Sequence, residues 1–181
     1  TGSLGELASQ GYTEVEVYKK PVVGIFNMGS ELMDPLEELE PGKIYNSNFN
    51  TLSAFMKNVG FEVKNLGVVK DDPQEVEEKT VAAIKDVDLL FTTGGASVGD
   101  YDYALTSMQN LGAEILFWKT AMKPGGSIVL SKLDGKIVFG LSGNPAAALL
   151  SLYRVGLPVL YKMCGRKDLL PEMIEVILKK P

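Results

Sequence analysis

Short apolar segments alternate with amphipathic helical segments along this chain, and this alternation restricts the folds that it can adopt. Residues 22–26, 61–69 and 87–93 have the length and composition of buried strands. The last of these is apolar on both faces, as in a parallel sheet that is covered on both sides. Single helices between such strands predict an α/β fold, namely a three-layer, doubly wound, mostly parallel sheet with helices on both faces.

Local signals indicate where the first helices begin and end. Ser47 is expected to cap a helix that Gly60 terminates. Asp72, followed by Pro73 and then by Glu75 three residues on, predicts the next helix start as a capping box.

The second half of the chain is predicted to add a hairpin and a final helix. Asp134-Gly135 stands between two apolar runs and is a strong signal for a tight β-hairpin turn. Asn144 and Pro145 are expected to start the last helix, which should end near Pro158.

The composition excludes several kinds of site and partner. The 181 residues include no histidine and a single cysteine, Cys164, so the commonest general base is missing and a zinc cluster cannot form. A bound metal would therefore be a hard cation held by oxygen ligands. The net charge of −5, without a basic stripe, argues against a nucleic-acid partner. Since no segment resembles a membrane span or a signal peptide, we expect no membrane association and a cytoplasmic location.

The unusual motifs of the chain all follow predicted strands. They occupy the loops at residues 27–32, 71–73, 94–103, 119–126 and 141–145. Ligands of doubly wound sheets bind beyond the carboxyl ends of the strands. The convergence of the motifs on this edge predicts one binding site there.

The loop at residues 94–99 has the composition of an anion cradle. Its glycines allow close approach of the backbone, and Ser97 adds a hydroxyl group. It matches neither the Walker nor the dinucleotide-binding pattern. Asp100 and Asp102 follow at once, and carboxylates beside a phosphate cradle suggest a magnesium bridge, although either aspartate could instead cap the next helix.

The other candidate site residues could instead have a purely structural role. Asp72 is the better helix cap, which leaves Asp71 freer for the site. Glu31 is either a solvated loop acid or a site carboxylate. Lys123 could extend into solvent or pair with a phosphate, and the turn at residues 143–145 is explained by helix capping alone.

Three motifs follow one another along the chain: Gly-Gly-Ala-Ser-Val-Gly-Asp-Tyr-Asp (94–102), Met-Lys-Pro-Gly (122–125) and Gly-Asn-Pro (143–145). In this order and spacing, they resemble the molybdopterin-binding domain of the MoeA family of molybdopterin molybdenumtransferases. The resemblance extends from about Leu7 to Leu160 and includes Pro-Gly-Lys-Ile-Tyr-Asn-Ser-Asn at 41–48. It implies an enzyme that takes adenylylated molybdopterin and molybdate, hydrolyses the adenylate with Mg²⁺, and releases molybdenum cofactor and AMP.

The resemblance also implies roles for individual residues. Catalytic carboxylates are expected at Glu31, Asp71 (or its neighbour Asp72) and Asp102, and magnesium ligands at Asp100 and Asp102. The pterin-phosphate or molybdate surface is expected to comprise Gly94, Gly95, Ser97, Gly99, Lys123, Ser142, Gly143, Asn144 and Pro145.

Three motifs depart from the family pattern and keep other functions open. Ser30 stands where the family usually has aspartate, Gly126 and Ser127 where it has lysine and proline, and Ser142 where it has proline. These departures are compatible with a diverged, non-catalytic pterin-binding or scaffold module. A molybdopterin adenylyltransferase of the same fold is a further alternative.

The resemblance implies a domain organisation as well. Residues 1–20 are expected to be a linker, an edge strand or the end of a preceding domain, 21–162 the molybdopterin-binding domain, and 163–181 the start of a C-terminal domain. The chain is therefore expected to be a fragment of a longer protein. Family members dimerise, which implies a homodimer of the full-length protein with a small-molecule pterin ligand.

Overall fold

A computed structural model describes residues 2–95, 103–170, 174–177 and 179 of the chain. The strands are β1 (Val23–Met28), β2 (Leu32–Met33), β3 (Ile44–Tyr45), β4 (Val63–Val69), β5 (Leu89–Thr93), β6 (Glu114–Trp118), β7 (Ile128–Leu133) and β8 (Lys136–Leu141). The α-helices are α1 (Gly2–Ser9), α2 (Asn48–Asn58), α3 (Pro73–Ala83), α4 (Tyr103–Asn110), α5 (Pro145–Ser151) and α6 (Leu157–Met163). None of these helices is both long enough and apolar enough to span a membrane.

The main sheet has the strand order β4-β1-β5-β8-β7-β6, and the first four strands are parallel. Strand β7 is antiparallel to both of its neighbours. It joins β8 through Asp134 and Gly135, whose φ angles of 48° and 78° are both left-handed, as a tight hairpin turn with the twist of its strands requires. The predicted α/β sheet and its hairpin are confirmed.

Helices cover both faces of the sheet, so the molecule has the three predicted layers. The alternation of side chains along β5 shows this directly, because Leu89 and Phe91 enter one core and Leu90 enters the other. The first core is closed by α2, α5 and α6, and the second by α3 and α4. Phe91 stacks on Phe139 at a centroid distance of 5.0 Å in the first core.

The N-terminal segment does not contain the edge strand that was one of its predicted structures, and its role as a linker stays a prediction. Residues 2–9 form α1, none of whose residues is buried, and the glycines within it disfavour a helix in sequence terms. No strand forms between residues 12 and 20. Val15 and Val17 are 49% and 80% exposed, so their alternation creates no apolar face that a sheet could bury.

The predicted end of the last helix near Pro158 is wrong. A π-helical turn, Leu152–Gly156, connects α5 directly to α6, in which Pro158 is the second residue. The N–H of Leu157 bonds to the carbonyl of Leu152, five residues back. The wider turn accommodates the proline, and burial of Leu157 and Leu160 favours continuing the helix.

The two predicted helix caps differ in outcome. The Asp72 carboxylate accepts a hydrogen bond from the N–H of Glu75 at 3.0 Å, so this cap is confirmed. The reciprocal half of the capping box is absent, because the Glu75 carboxylate accepts from the N–H of Lys70 instead. Ser47 makes no side-chain cap bond, since its φ and ψ of −88° and −20° are already helical, whereas a capping residue is extended.

Candidate functional site

The direction of the chain reverses at β1, which lies between β4 and β5. The connection from β1 to β4 runs through α2 on one face, and the connection from β4 to β5 runs through α3 on the other. Such a reversal opens a crevice at the carboxyl ends of the strands, where ligands of open α/β sheets bind.

A pocket of about 340 Å³ occupies this crevice, and we call it the switch-point pocket. Its volume is within the usual range for small-molecule sites. It is lined by Met28, Glu31, Leu32, Ile44, Asn48, Asp71, Gly94, Gly95, Ser127, Ser142, Gly143 and Asn144.

Seven of the residues predicted for the site lie in this lining, and they come from four separate loops: Glu31, Asp71, Gly94, Gly95, Ser142, Gly143 and Asn144. Two others lie outside it. Lys123 is exposed, in the loop after β6, and Pro145 is the first residue of α5. The predictions for Ser97, Gly99, Asp100 and Asp102 fall outside the described residues.

Asp71 lies at the pocket and is held to the loop after β1. The backbone N–H of Ser30 donates to Oδ2 of Asp71 at 3.1 Å, and the N–H of Asp71 is 3.3 Å from Oγ of Ser30. Lys43 donates to the Ser30 carbonyl oxygen at 2.7 Å. The serine that replaces the family's usual aspartate therefore takes part in fixing a predicted site carboxylate.

The floor of the pocket is formed by the backbone of two glycine-containing loops. Gly94 and Gly95 have left-handed φ angles of 88° and 64°, and the N–H of Gly94 donates to the carbonyl of Leu141 at 3.2 Å. A Cβ atom on Gly143 would be 3.4 Å from the Cα of Gly94. The loops after β5 and β8 are thus in close contact, with little side-chain material between them.

Local hydrogen bonds organise the turn before α5. Oδ1 of Asn144 accepts from the N–H of Ala147 at 3.1 Å and so caps the helix. Oγ of Ser142, the residue that replaces the family's proline, is 3.2 Å from the N–H of Asn144. The capping explanation of this turn is therefore confirmed for Asn144.

The third departure from the family pattern, Gly126, lies in a tight turn. Its carbonyl accepts from the N–H of Thr120 at 3.0 Å. A Cβ atom at this position would be 2.9 Å from the carbonyl oxygen of Met122 and 3.1 Å from that of Thr120. A lysine here would need the turn to shift.

Sequence reasoning gave no role to a buried network of amide side chains beneath the pocket. Asn27 and Asn48 both donate to Oγ1 of Thr93, and Asn48 also donates to the carbonyl oxygen of Gly143 at 2.9 Å. Asn46 donates to Oδ1 of Asn27 at 3.0 Å. The only sequence signal was that Asn46 and Asn48 belong to the 41–48 stretch of the family resemblance.

Among the described residues that line the pocket, two have charged side chains, the carboxylates Glu31 and Asp71. Among the described residues, no group of three histidine, cysteine, aspartate or glutamate side chains could hold a metal ion. Mg²⁺ in enzymes is often held by only one or two carboxylates together with water and substrate phosphates. The predicted magnesium ligands, Asp100 and Asp102, lie outside the described residues.

The chain is similar to known proteins over most of its length. Residues 24–162 match the family described as "Probable molybdopterin binding domain". A curated molybdopterin molybdenumtransferase of Staphylococcus epidermidis is 40% identical over 178 residues, which are 98% of this chain and 42% of the relative. The chain thus spans less than half the length of the curated relatives it matches.

Solved structures give the same picture of the fold. The crystal structure of a molybdopterin biosynthesis MoeA protein from Pyrococcus horikoshii has a TM-score of 0.81 and 29% identity, covering 92% of this chain and 41% of that one. The molybdopterin biosynthesis enzyme MoaB from Thermus thermophilus has a TM-score of 0.59 at 19% identity, covering 81% of this chain and 98% of that one. The second likeness supports the fold alone.

Proposed function

The chain belongs to the molybdopterin-binding domain family of molybdenum cofactor biosynthesis, and from that premise we propose that it binds molybdopterin in the switch-point pocket. One observation carries the proposal. Residues predicted from separate motifs, on the loops after β1, β4, β5 and β8, line one pocket at the position where this fold class binds ligands.

The proposed ligand is adenylylated molybdopterin, and the proposed reaction inserts molybdate with hydrolysis of the adenylate and release of AMP. The backbone of the loops after β5 and β8 would approach the anionic part of the ligand, because glycine leaves the peptide groups uncovered. Glu31 and Asp71 would accept hydrogen bonds from the attacking water. None of the described residues that line the pocket has a cationic side chain. The proposal therefore includes Mg²⁺, and Asp100 and Asp102 remain the proposed residues that hold it.

Turnover is proposed for the full-length protein rather than for this chain, which spans 42% of its curated relative. Residues 1–20 would link to a preceding domain and 163–181 would lead into a following one. The homodimer and the cytoplasmic location belong to the same proposal.

Calorimetric titration of molybdopterin and of adenylylated molybdopterin into the chain, with and without Mg²⁺, tests the proposal. We expect binding of both, with a preference for the adenylylated form that requires Mg²⁺. If neither ligand binds, the assignment of the pocket as the molybdopterin site is contradicted. Equal affinities for the adenylylated form with and without Mg²⁺ would contradict the proposed role of Mg²⁺ in binding.

An isosteric substitution tests the role of Asp71 in the pocket. Asp71→Asn removes the negative charge and keeps an oxygen that can accept from the N–H of Ser30. We expect this variant to fold and to keep Mg²⁺-dependent binding, while the full-length protein that carries it releases AMP more slowly than the wild type. Asp134→Asn is the matched control, because it makes the same chemical change in the β7–β8 turn, at the other end of the sheet.

The full-length protein separates the enzyme from the non-catalytic alternative. Release of AMP from adenylylated molybdopterin by the full-length protein would support the molybdenumtransferase. Binding without AMP release would favour the scaffold module that the departures at Ser30, Gly126 and Ser142 leave open.

A further inference from the structure

Asn48, the first residue of α2, bridges the two glycine-containing loops that form the pocket floor. Its side-chain nitrogen lies 2.9 Å from the carbonyl oxygen of Gly143 and 3.2 Å from Oγ1 of Thr93. Gly143 follows β8, and Thr93 is the last residue of β5, immediately before Gly94. One amide group therefore contacts both loops from a third element of the fold.

The orientation of this amide is determined by its partners. A carbonyl oxygen can only accept, so the nitrogen of Asn48 must face Gly143. Oδ1 is then directed elsewhere, and it is buried with no hydrogen-bond partner in the part of the chain that the structure describes. The residue as a whole is only 8% exposed.

A buried carbonyl oxygen without a partner costs folding free energy, whereas an apolar side chain of the same shape would not carry that cost. For the stability of the fold, this cost of Asn48 offsets much of what its two hydrogen bonds contribute. What an apolar residue could not supply is the pair of N–H groups that hold Gly143 and Thr93.

We propose that Asn48 is a positioning residue, which holds the loops after β5 and β8 at the spacing that the pterin ligand requires. The inference rests on the proposed function, because it assumes that the ligand occupies the switch-point pocket. Asn48 acts through Gly143 and Gly94, which are already close enough that a Cβ atom on Gly143 would lie 3.4 Å from the Gly94 Cα.

The neighbouring amides support this assignment. Thr93 also accepts from Asn27 on β1, and Asn27 accepts from Asn46. Asn48 is the member of this network that also lines the pocket and reaches the loop after β8. It therefore connects a rigid group of buried side chains to the ligand-facing backbone.

The test compares Asn48→Leu with Asn50→Leu, a matched substitution at an exposed position of the same helix. Molybdopterin is the probe, titrated anaerobically, and each variant is also unfolded with urea. Loss of both amide contacts should weaken affinity roughly 10- to 100-fold for Asn48→Leu. Its unfolding midpoint should stay close to that of the wild type, because removal of the unpaired carbonyl offsets the two lost hydrogen bonds. Thr93 keeps its bond from Asn27, and the exposed Gly143 can bond to water instead. Asn50→Leu should change neither quantity.

Hydrogen exchange provides a second readout, because release of the two loops changes exchange only there, whereas general destabilisation changes it throughout the sheet. The amide of Gly94, which donates to the carbonyl of Leu141 between the two loops, should exchange faster in Asn48→Leu, while the amides of β5 and β8 keep their protection. If the leucine variant does not fold, Asn48→Ala, which only removes atoms, is judged by the same criteria.

The outcomes separate this inference from the proposed function. No binding by the wild type overturns the proposed function and this inference with it. Wild-type binding that Asn48→Leu retains in full overturns the inference alone. Loss of affinity in strict proportion to loss of stability, with protection lost throughout the sheet, also overturns it, because Asn48 would then support only the fold.

Discussion

Gly94 packs directly against the backbone of Met28, so closely that a Cβ atom on Gly94 would lie 2.2 Å from the Met28 carbonyl oxygen. Gly94 also has a φ of 88°, which disfavours other residues by itself. Two separate constraints therefore act at this position, the backbone conformation and the contact between the loops after β5 and β1.

The two constraints can be separated by comparing Gly94→Ala with Gly67→Ala. Gly67 has nearly the same φ, 87°, but a Cβ atom there would meet no atom within 4 Å. We expect Gly67→Ala to cost about 1–2 kcal/mol of unfolding free energy, the usual penalty for this conformation. Gly94→Ala should cost clearly more, because the β1 and β5 ends must also move apart. Equal losses in urea unfolding would show that the contact with Met28 is readily relieved.

Much of the fold could be predicted because its signals are local. The apolar run that contains Leu89, Leu90 and Phe91 indicates a strand buried on both faces, whatever its neighbours are. Asp72 marks a helix start in the same way, through a bond to a residue three positions away. Pro158 was misleading because the π-turn before it and the core beneath it decide whether the helix continues.

The same difference between local signals and long-range contacts decides which residues of the site could be predicted. Asp71 and Gly143 could be placed at one edge, because the ends of parallel strands meet there in any sheet of this class. Asn48 could not be given a role, since its partners lie 45 and 95 residues further along the chain. Its contribution depends on the strand order, which brings the ends of β5 and β8 beside the start of α2.

The two predicted caps give a second comparison. Asp72→Ala removes a side-chain bond to the N–H of Glu75 and should cost about 1 kcal/mol, the usual value for such a cap. Ser47→Ala removes no cap bond and should change the unfolding free energy by less than about 0.5 kcal/mol. Urea unfolding of both variants measures the difference. A loss at Ser47 as large as that at Asp72 would contradict the observed geometry.

Asp88, at the start of β5, has a charge-dependent role in stability. Its carboxylate accepts from the N–H of Val22 at 2.9 Å and from Lys136 at 3.0 Å. The hydrogen bond from Val22 and then that from Lys136 hold the pKa of Asp88 below its usual range. Since the pKa is lower in the folded chain, the ionised group contributes stability above the unfolded pKa of about 3.9, and this contribution is lost as the pH falls through the folded pKa.

The substitution Asp88→Asn should therefore lower the unfolding free energy near neutral pH, and the gap to the wild type should narrow as the pH falls below about 4. The asparagine can still accept from Val22, so the variant removes mainly the attraction to Lys136. Because the two side chains are 36% and 38% exposed, solvent screening should keep the gap below about 1 kcal/mol. Added salt should reduce it further.

Urea unfolding between pH 3 and 7 at two salt concentrations measures the gap, with Asp134→Asn as a control for removing an acid from the same end of the sheet. A gap that persists unchanged into acid would mean that the carboxylate acts through its shape and not its charge.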